Sequence, residues 1–184
     1  PVAAVVTIAL GLISWQQQRV WRDSESLLSH AIALEPENVP ARVQLGVVQL
    51  RKGEAEDAEV QFRQAIALDE TSAPAWSNLG SALRMQGRAD EAVEAFRAAV
   101  ELEPEQYAPL INLGSLLAEQ GRLDEAVPLL ERAIRHPEES GAGYERLYLV
   151  FQELGRDEEA DRVLREGLRR FPGSSIIEQH DDRR

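Results

Sequence analysis

The sequence predicts an all-α protein in which short helical hairpins stack side by side as a solenoid. Three observations support this fold class. Apolar residues recur at spacings of three and four, which is typical of one face of an amphipathic helix. A glycine interrupts each pair of such stripes. The whole pattern then returns after a shift of 34 residues, as expected of a repeat architecture.

The hairpin is clearest in residues 73–106. Leu79 belongs to a first apolar stripe, Gly87 interrupts the pattern, and Phe96 belongs to a second stripe. Asp90 stands where it can cap the start of the second helix. One hairpin cannot bury its own apolar face, so it requires copies of itself alongside.

The copies occur in a single register along the chain. The aligned columns are Leu45, Leu79, Leu113 and Leu147; Gly53, Gly87, Gly121 and Gly155; Ala58, Ala92, Ala126 and Ala160; Phe62, Phe96, Leu130 and Leu164; and Ala65, Ala99, Ala133 and Gly167. We therefore assign a second helix alone to 21–38, full repeats to 39–72, 73–106, 107–140 and 141–174, and a polar tail to 175–184.

The pattern W-x2-L-G-x2-L, followed by glycine, A-x3-F and proline, closely resembles the tetratricopeptide repeat (TPR) signature. The resemblance covers 21–174 and implies a right-handed superhelix with an inner groove lined by the first helix of each hairpin. Gly46, Gly80 and Gly114 are predicted to lie where the two helices of a hairpin cross closely. The first full repeat departs from the pattern, with Arg42 in the Trp76 column and Gln49 in the Leu83 column.

The N-terminal segment 1–20 is apolar, and its first charged residue is Arg19. Its 15-residue uncharged start would rise about 22 Å as a helix, less than the roughly 30 Å of a bilayer core. Trp15 and Trp21 lie beside Arg19 and Arg22, as at a membrane boundary. We predict that 1–20 is the C-terminal part of a transmembrane helix of a longer protein. A soluble cap packed on the first repeat and a secretory signal are the alternatives.

Composition and motifs argue against catalysis and against nucleic-acid binding. The net charge of -12 lacks the basic surface that phosphate binding requires, and it is compatible with basic partners. The chain has no cysteine, and its three histidines are not spaced as metal ligands. No nucleotide or nucleophile motif is found. We therefore assign no catalytic, cofactor-binding or metal-binding residue and expect no enzyme activity in this segment.

The predicted groove would bind a protein partner or an extended peptide. In TPR arrays that bind peptides, asparagines just before the repeated leucine form an amide ladder along the peptide backbone, and the resemblance implies this role for Asn78 and Asn112. Gln44 is a plausible substitute, and Arg146 departs from the pattern. Water is the alternative partner of these amides. The groove lacks a Lys-rich carboxylate clamp, so recognition of a C-terminal acidic peptide is not expected. The other assigned groove residues are Val43, Val47, Arg51, Ser77, Ser81, Arg84, Ile111 and Ser115.

The junction in about the first 50 residues is similar to that of transmembrane-and-TPR proteins related to O-mannosyltransferases. This resemblance implies a bacterial inner-membrane protein with a periplasmic TPR region; a cytoplasmic location is the alternative. Two functions follow. One is a membrane-tethered scaffold, and the other is the substrate-recognition region of a multi-pass glycosyltransferase whose catalytic half is not in this chain.

Overall fold

The computed structural model describes residues 24–136 and 141–172, and within these ranges every regular element is an α-helix. The described part of α1 is 24–34, and the later helices begin and end at printed boundaries. They are α2 Val39–Lys52, α3 Ala55–Leu68, α4 Ala73–Met85, α5 Ala89–Leu102, α6 Tyr107–Glu119, α7 Leu123–Ala133, α8 Ala142–Glu153 and α9 Asp157–Arg170.

The predicted apolar helix 1–20 and the tail 175–184 lie outside the described residues. Among the helices of 24–136 and 141–172, none is long and apolar enough to cross a bilayer. The predicted hairpins agree with the helix pairs α2–α3, α4–α5, α6–α7 and α8–α9. The all-helical prediction is thus confirmed for the described part of the chain.

Each hairpin turn contains a glycine in the left-handed region. The φ angles of Gly53, Gly87, Gly121 and Gly155 are 85°, 76°, 74° and 67°. Residues with a Cβ rarely adopt this conformation, so the glycine that interrupts each apolar pattern has a conformational reason. The glycine column found in the sequence is therefore a column of helix stops.

The chain divides into two compact units, Pro1–Gly87 and Arg88–Arg184. In unit 1, α3 packs against both α2 and α4, and α2 also contacts α4. Phe62 of α3 is fully buried, and a Cβ added to Gly46 would lie 2.5 Å from its Cε1 atom. The predicted close helix crossing is confirmed at this position.

In unit 2, α6 packs against α5, α7 and α8, and α9 packs against α8. Leu130 of α7 has no exposed surface, and a Cβ added to Gly114 would lie 2.8 Å from its Cδ2 atom. The close crossing predicted for Gly114 is thus confirmed as well. The aromatic rings of Tyr144 and Phe151 are buried in the core of α8 and α9.

The turns between successive repeats have a carbonyl that receives a side-chain hydrogen bond. Trp76 Nε1 donates to the Glu70 carbonyl at 2.9 Å, and Arg42 Nη2 donates to the equivalent Pro36 carbonyl at 2.8 Å. Leu110 cannot donate from this column, and the Pro104 carbonyl instead accepts from Arg132 of α7. The variable residues of the Trp column are thus linked by a common requirement for a donor.

Candidate functional site

The predicted groove residues of unit 1 lie on two helices that contact each other. On α2, Val43 is buried, Val47 is half-buried, and Gln44 and Arg51 are exposed. Positions separated by four and eight residues lie on the same side of a helix, so these side chains share one face of α2. Because α2 packs against α4, this face continues onto a second helix.

On α4, Ser77, Asn78 and Ser81 are half-buried and Arg84 is exposed. Asn78 Nδ2 donates to the Pro74 carbonyl at 2.8 Å, and Ser81 Oγ donates to the Ser77 carbonyl at 3.2 Å. These bonds orient the side chains along their own helix. The bond to Pro74 uses one of the two N–H groups of the Asn78 amide.

In unit 2, Ile111 and Asn112 of α6 are half-buried, and Arg146 of α8 is exposed. Ser115 is only 6% exposed, so it belongs mainly to the packing between helices and offers a partner little surface. The same holds for Val43 of unit 1, which is 8% exposed. The other residues predicted for the groove keep more accessible surface.

The predicted amide ladder is divided between the two units. Gln44 and Asn78 belong to unit 1, and Asn112 and Arg146 belong to unit 2. Within each unit the two ladder residues lie on first helices that are in contact, α2 with α4 and α6 with α8. Each unit thus brings together two of the predicted residues.

The charges of unit 1 are separated by helix. Helices α2 and α4 contain four basic residues and no acidic residue, whereas α3 contains three acidic residues and one basic residue. Lys52 forms ion pairs with Glu25 of α1 and with Glu54, and the hydrogen bond to Glu25 raises the pKa of Lys52. Arg42 is bound to the Pro36 carbonyl. Arg51 and Arg84 are the two remaining basic residues of these helices, and both are exposed.

The acidic residues that recur at the starts of the second helices have structural partners. Glu125 pairs with Arg122 at 2.7 Å, and Glu159 pairs with Arg156 at the same distance. The hydrogen bond from Arg122, with a further contribution from Arg97, lowers the pKa of Glu125. These ion pairs repeat with the helices and mark helix starts, so they do not form a catalytic site.

A cleft of about 390 Å³ lies between α5, α6 and α7 in unit 2. Its apolar lining includes Val100, Leu113 and Leu129. At its rim, Arg97 Nη2 bonds with Glu125 Oε2 at 2.7 Å, so both charged groups already have a partner. Among residues 24–136 and 141–172, no cluster of acidic or histidine side chains could hold a metal ion.

Sequence reasoning missed the polar contacts that join one repeat to the next. Gln86, at the end of α4, donates to Glu59 Oε2 at 2.8 Å and to the Ala55 carbonyl at 3.2 Å. Gln120, in the equivalent position of unit 2, donates to Asp90 Oδ1 at 2.9 Å. Lys52 shares this column, so a polar residue at each of these helix ends was the available signal.

The family model described as tetratricopeptide repeat matches residues 8–73, 56–109, 77–145 and 111–175. These matches together include most of the 184 residues. The chain belongs to the tetratricopeptide repeat family. The first match begins at residue 8, so it includes part of the segment 1–20. This segment is therefore a TPR scaffold and not an enzyme.

Solved structures of other TPR proteins share the fold. A crystal structure of MamA aligns with a TM-score of 0.75 and 22% identity over 92% of this chain and 95% of that chain. YrrB, described as a TPR protein with an unusual peptide-binding site, aligns with a TM-score of 0.73 and 17% identity over 91% and 86%. PilF of Pseudomonas aeruginosa aligns with a TM-score of 0.65 and 30% identity over 71% and 60%. No curated protein sequence matches the chain.

Proposed function

We propose that this TPR protein is a scaffold that holds an extended segment of a partner protein along its first helices. The observation that carries the proposal is the position of Asn78. Its amide is half-buried on α4, is oriented by a 2.8 Å bond to the Pro74 carbonyl, and lies in the same repeat column as Asn112. An amide can donate to and accept from a peptide backbone without requiring a particular side chain.

The surface around Asn78 suits a peptide. Val47 of α2 is half-buried and Met85 of α4 is 56% exposed, so apolar side chains of a partner would gain contacts there. Ser77 and Ser81 add small polar groups on the same helix. The peptide-binding site named for YrrB supports the same class of ligand for this chain.

The test replaces both asparagines by alanine. Peptides selected from a random display library on the full chain should bind the Asn78→Ala, Asn112→Ala variant at least about tenfold more weakly, since each lost hydrogen bond is worth about 1 kcal/mol. The melting temperature should stay close to that of the parent. Affinity is measured by fluorescence anisotropy with labelled peptides.

The matched control is Gln61→Ala, Gln64→Ala, which removes two amides from the second helix α3 and should leave affinity unchanged. If the asparagine variant binds peptides as tightly as the parent, the ladder is wrong. If it loses its fold, the two amides are structural.

We also propose that residues 1–20 tether this scaffold to a bacterial inner membrane, with the TPR region in the periplasm. The uncharged run and the pairs Trp15, Trp21 and Arg19, Arg22 support a membrane boundary. The family match from residue 8 supports the alternative, a first TPR helix packed on α1. The two hypotheses predict different effects of a charge placed in the run.

Flotation of the full chain with phospholipid vesicles distinguishes them. For a tether, Leu10→Arg should abolish flotation and leave the melting temperature of the TPR region unchanged. For a packed cap, the parent should not float and the same substitution should lower the melting temperature. Gln17→Arg, near the end of the segment, is the control for the added charge.

The second candidate function is substrate recognition for a membrane glycosyltransferase. The junction in about the first 50 residues, from the apolar run into WQQQRVWRD, supports it. Sequence upstream of Pro1 tests it. Many further apolar spans with an acidic motif in the first loop would favour the enzyme, and a single span would exclude it.

A further inference from the structure

The inner helices of unit 1 have the opposite charge to the chain as a whole. The chain has a net charge of -12, yet α2 and α4 contain no aspartate or glutamate. In the described part of unit 1, all acidic side chains belong to α1, to α3 or to the turns. The total charge favours basic partners, but the two helices predicted to line the groove have the reverse sign.

Two of the four basic residues on these helices serve the fold. Arg42 donates to the Pro36 carbonyl and to Gln64 Oε1 of α3, and Lys52 pairs with Glu25. The two others, Arg51 and Arg84, are exposed and belong to the predicted groove residues. The positive character of the groove in unit 1 is therefore due mainly to two guanidinium groups.

Apolar surface accompanies these arginines. Met85 follows Arg84 in the chain and is 56% exposed, and Val47 lies one helical turn before Arg51. In unit 2, by contrast, the first helices α6 and α8 contain Glu119, Glu145 and Glu153, with Arg146 as their one basic residue. A partner segment would thus meet different chemistry in the two units.

We propose that α2 and α4 select a partner segment in which aspartate or glutamate side chains alternate with apolar residues. A guanidinium group recognises a carboxylate through paired N–H donors, and Val47 and Met85 would contact the apolar side chains. The inference rests on the proposed function and adds the chemical class of the bound segment. It concerns carboxylates within the segment and does not require a chain end.

The test uses the full chain and three synthetic peptides of one length and one leucine content. All three are acetylated and amidated at their ends, so that only side chains carry charge. One contains aspartate and glutamate, the second asparagine and glutamine at the same positions, and the third lysine. At low ionic strength the acidic peptide should bind about three- to tenfold more tightly than the neutral one, as expected of two exposed ion pairs, and the lysine peptide most weakly.

The variant Arg51→Glu, Arg84→Glu should reverse this order of affinities. The control Arg162→Glu, Arg165→Glu makes the same change in net charge on α9 of unit 2 and should preserve the order. If the glutamate variant unfolds, Arg51→Gln, Arg84→Gln should abolish the preference for the acidic peptide over the neutral one.

The outcomes separate this inference from the proposed function. Equal binding of the acidic and neutral peptides, with loss of both in the Asn78→Ala, Asn112→Ala variant, would overturn the charge selection and leave peptide binding intact. Reversal of the order by the α9 control would also overturn it, because total charge would then decide. Failure of all three peptides, and of every peptide from the display library, would overturn both proposals.

Discussion

Gly46 shows how one missing side chain determines the distance between two helices. A Cβ at this position would lie 2.5 Å from Cε1 and 2.7 Å from Cζ of Phe62, closer than real Cβ contacts. Phe62 is fully buried, so its ring has no room to move aside. The glycine therefore permits the α2–α3 contact and is conserved by geometry along this chain, since Gly114 has the same relation to Leu130.

Gly46→Ala should lower the free energy of unfolding by about 1–2 kcal/mol. Overpacking typically costs about 1–3 kcal/mol, and the better helix propensity of alanine offsets up to about 1 kcal/mol. Urea denaturation measures the change. The cost should shrink in a Phe62→Leu background, because leucine lacks the Cε1 and Cζ atoms, and equal costs in both backgrounds would contradict the contact.

Gln49 is a polar residue in a column that is otherwise apolar. Leu83, Leu117 and Phe151 occupy the equivalent positions and are almost fully buried. Gln49 is 8% exposed, and its Oε1 atom is buried with no hydrogen-bond partner in the part of the chain that the structure describes. A buried acceptor of this kind lowers stability, because it has lost its bonds to water.

Gln49→Leu should therefore raise the free energy of unfolding by about 1 kcal/mol. Gln44→Leu on the same helix is the control, and it should change stability little because Gln44 is exposed. A loss of stability in the Gln49 variant would show that this amide has a partner whose removal matters.

At the scale of the element, a hairpin is joined to its predecessor by the hydrogen bond of a turn carbonyl. Trp76 and Arg42 have little in common as side chains, yet each donates to the carbonyl six residues earlier. Since Leu110 has no donor, Arg132 of the second helix supplies one to Pro104. A buried or half-buried carbonyl must be paired, and the fold meets this requirement from different positions.

Trp76→Phe removes the donor and keeps most of the aromatic contact. It should lower the free energy of unfolding by about 1 kcal/mol, the usual contribution of one hydrogen bond together with some loss of packing. The change is measured by thermal and urea unfolding, and Leu110→Phe serves as the control in a repeat where this column donates nothing. An unchanged stability of the Trp76 variant would mean that water replaces the indole donor at no cost.

At the scale of the whole molecule, stability is distributed along a series of neighbours. Helices α2, α3 and α4 form the contacts of unit 1, and α5 to α9 form those of unit 2. In a repeat array each hairpin depends on its immediate neighbours, so local damage need not unfold distant repeats. This property is useful in a scaffold, because one region can open while another keeps its partner.

Gly114→Leu should therefore act on unit 2 and spare unit 1. Its side chain would collide with Leu130, since even a Cβ would lie 2.8 Å from Cδ2. Hydrogen exchange followed by mass spectrometry should show faster exchange in α6 and α7 and nearly unchanged exchange in α2 and α3. Gly46→Leu should show the opposite distribution. A uniform increase over both units would mean that the chain unfolds as a single cooperative body.

The sequence by itself determined the helical hairpins, their 34-residue register and the crossing glycines, because periodicity and backbone sterics act locally and recur in every copy. It also located Asn78 and Asn112 on first helices. Only the tertiary structure decided that Ser115 is buried, that Gln49 lacks a partner, and that Lys52 belongs to Glu25. These facts depend on contacts between residues far apart in the chain, where the side chain of one repeat meets a different neighbour in the next.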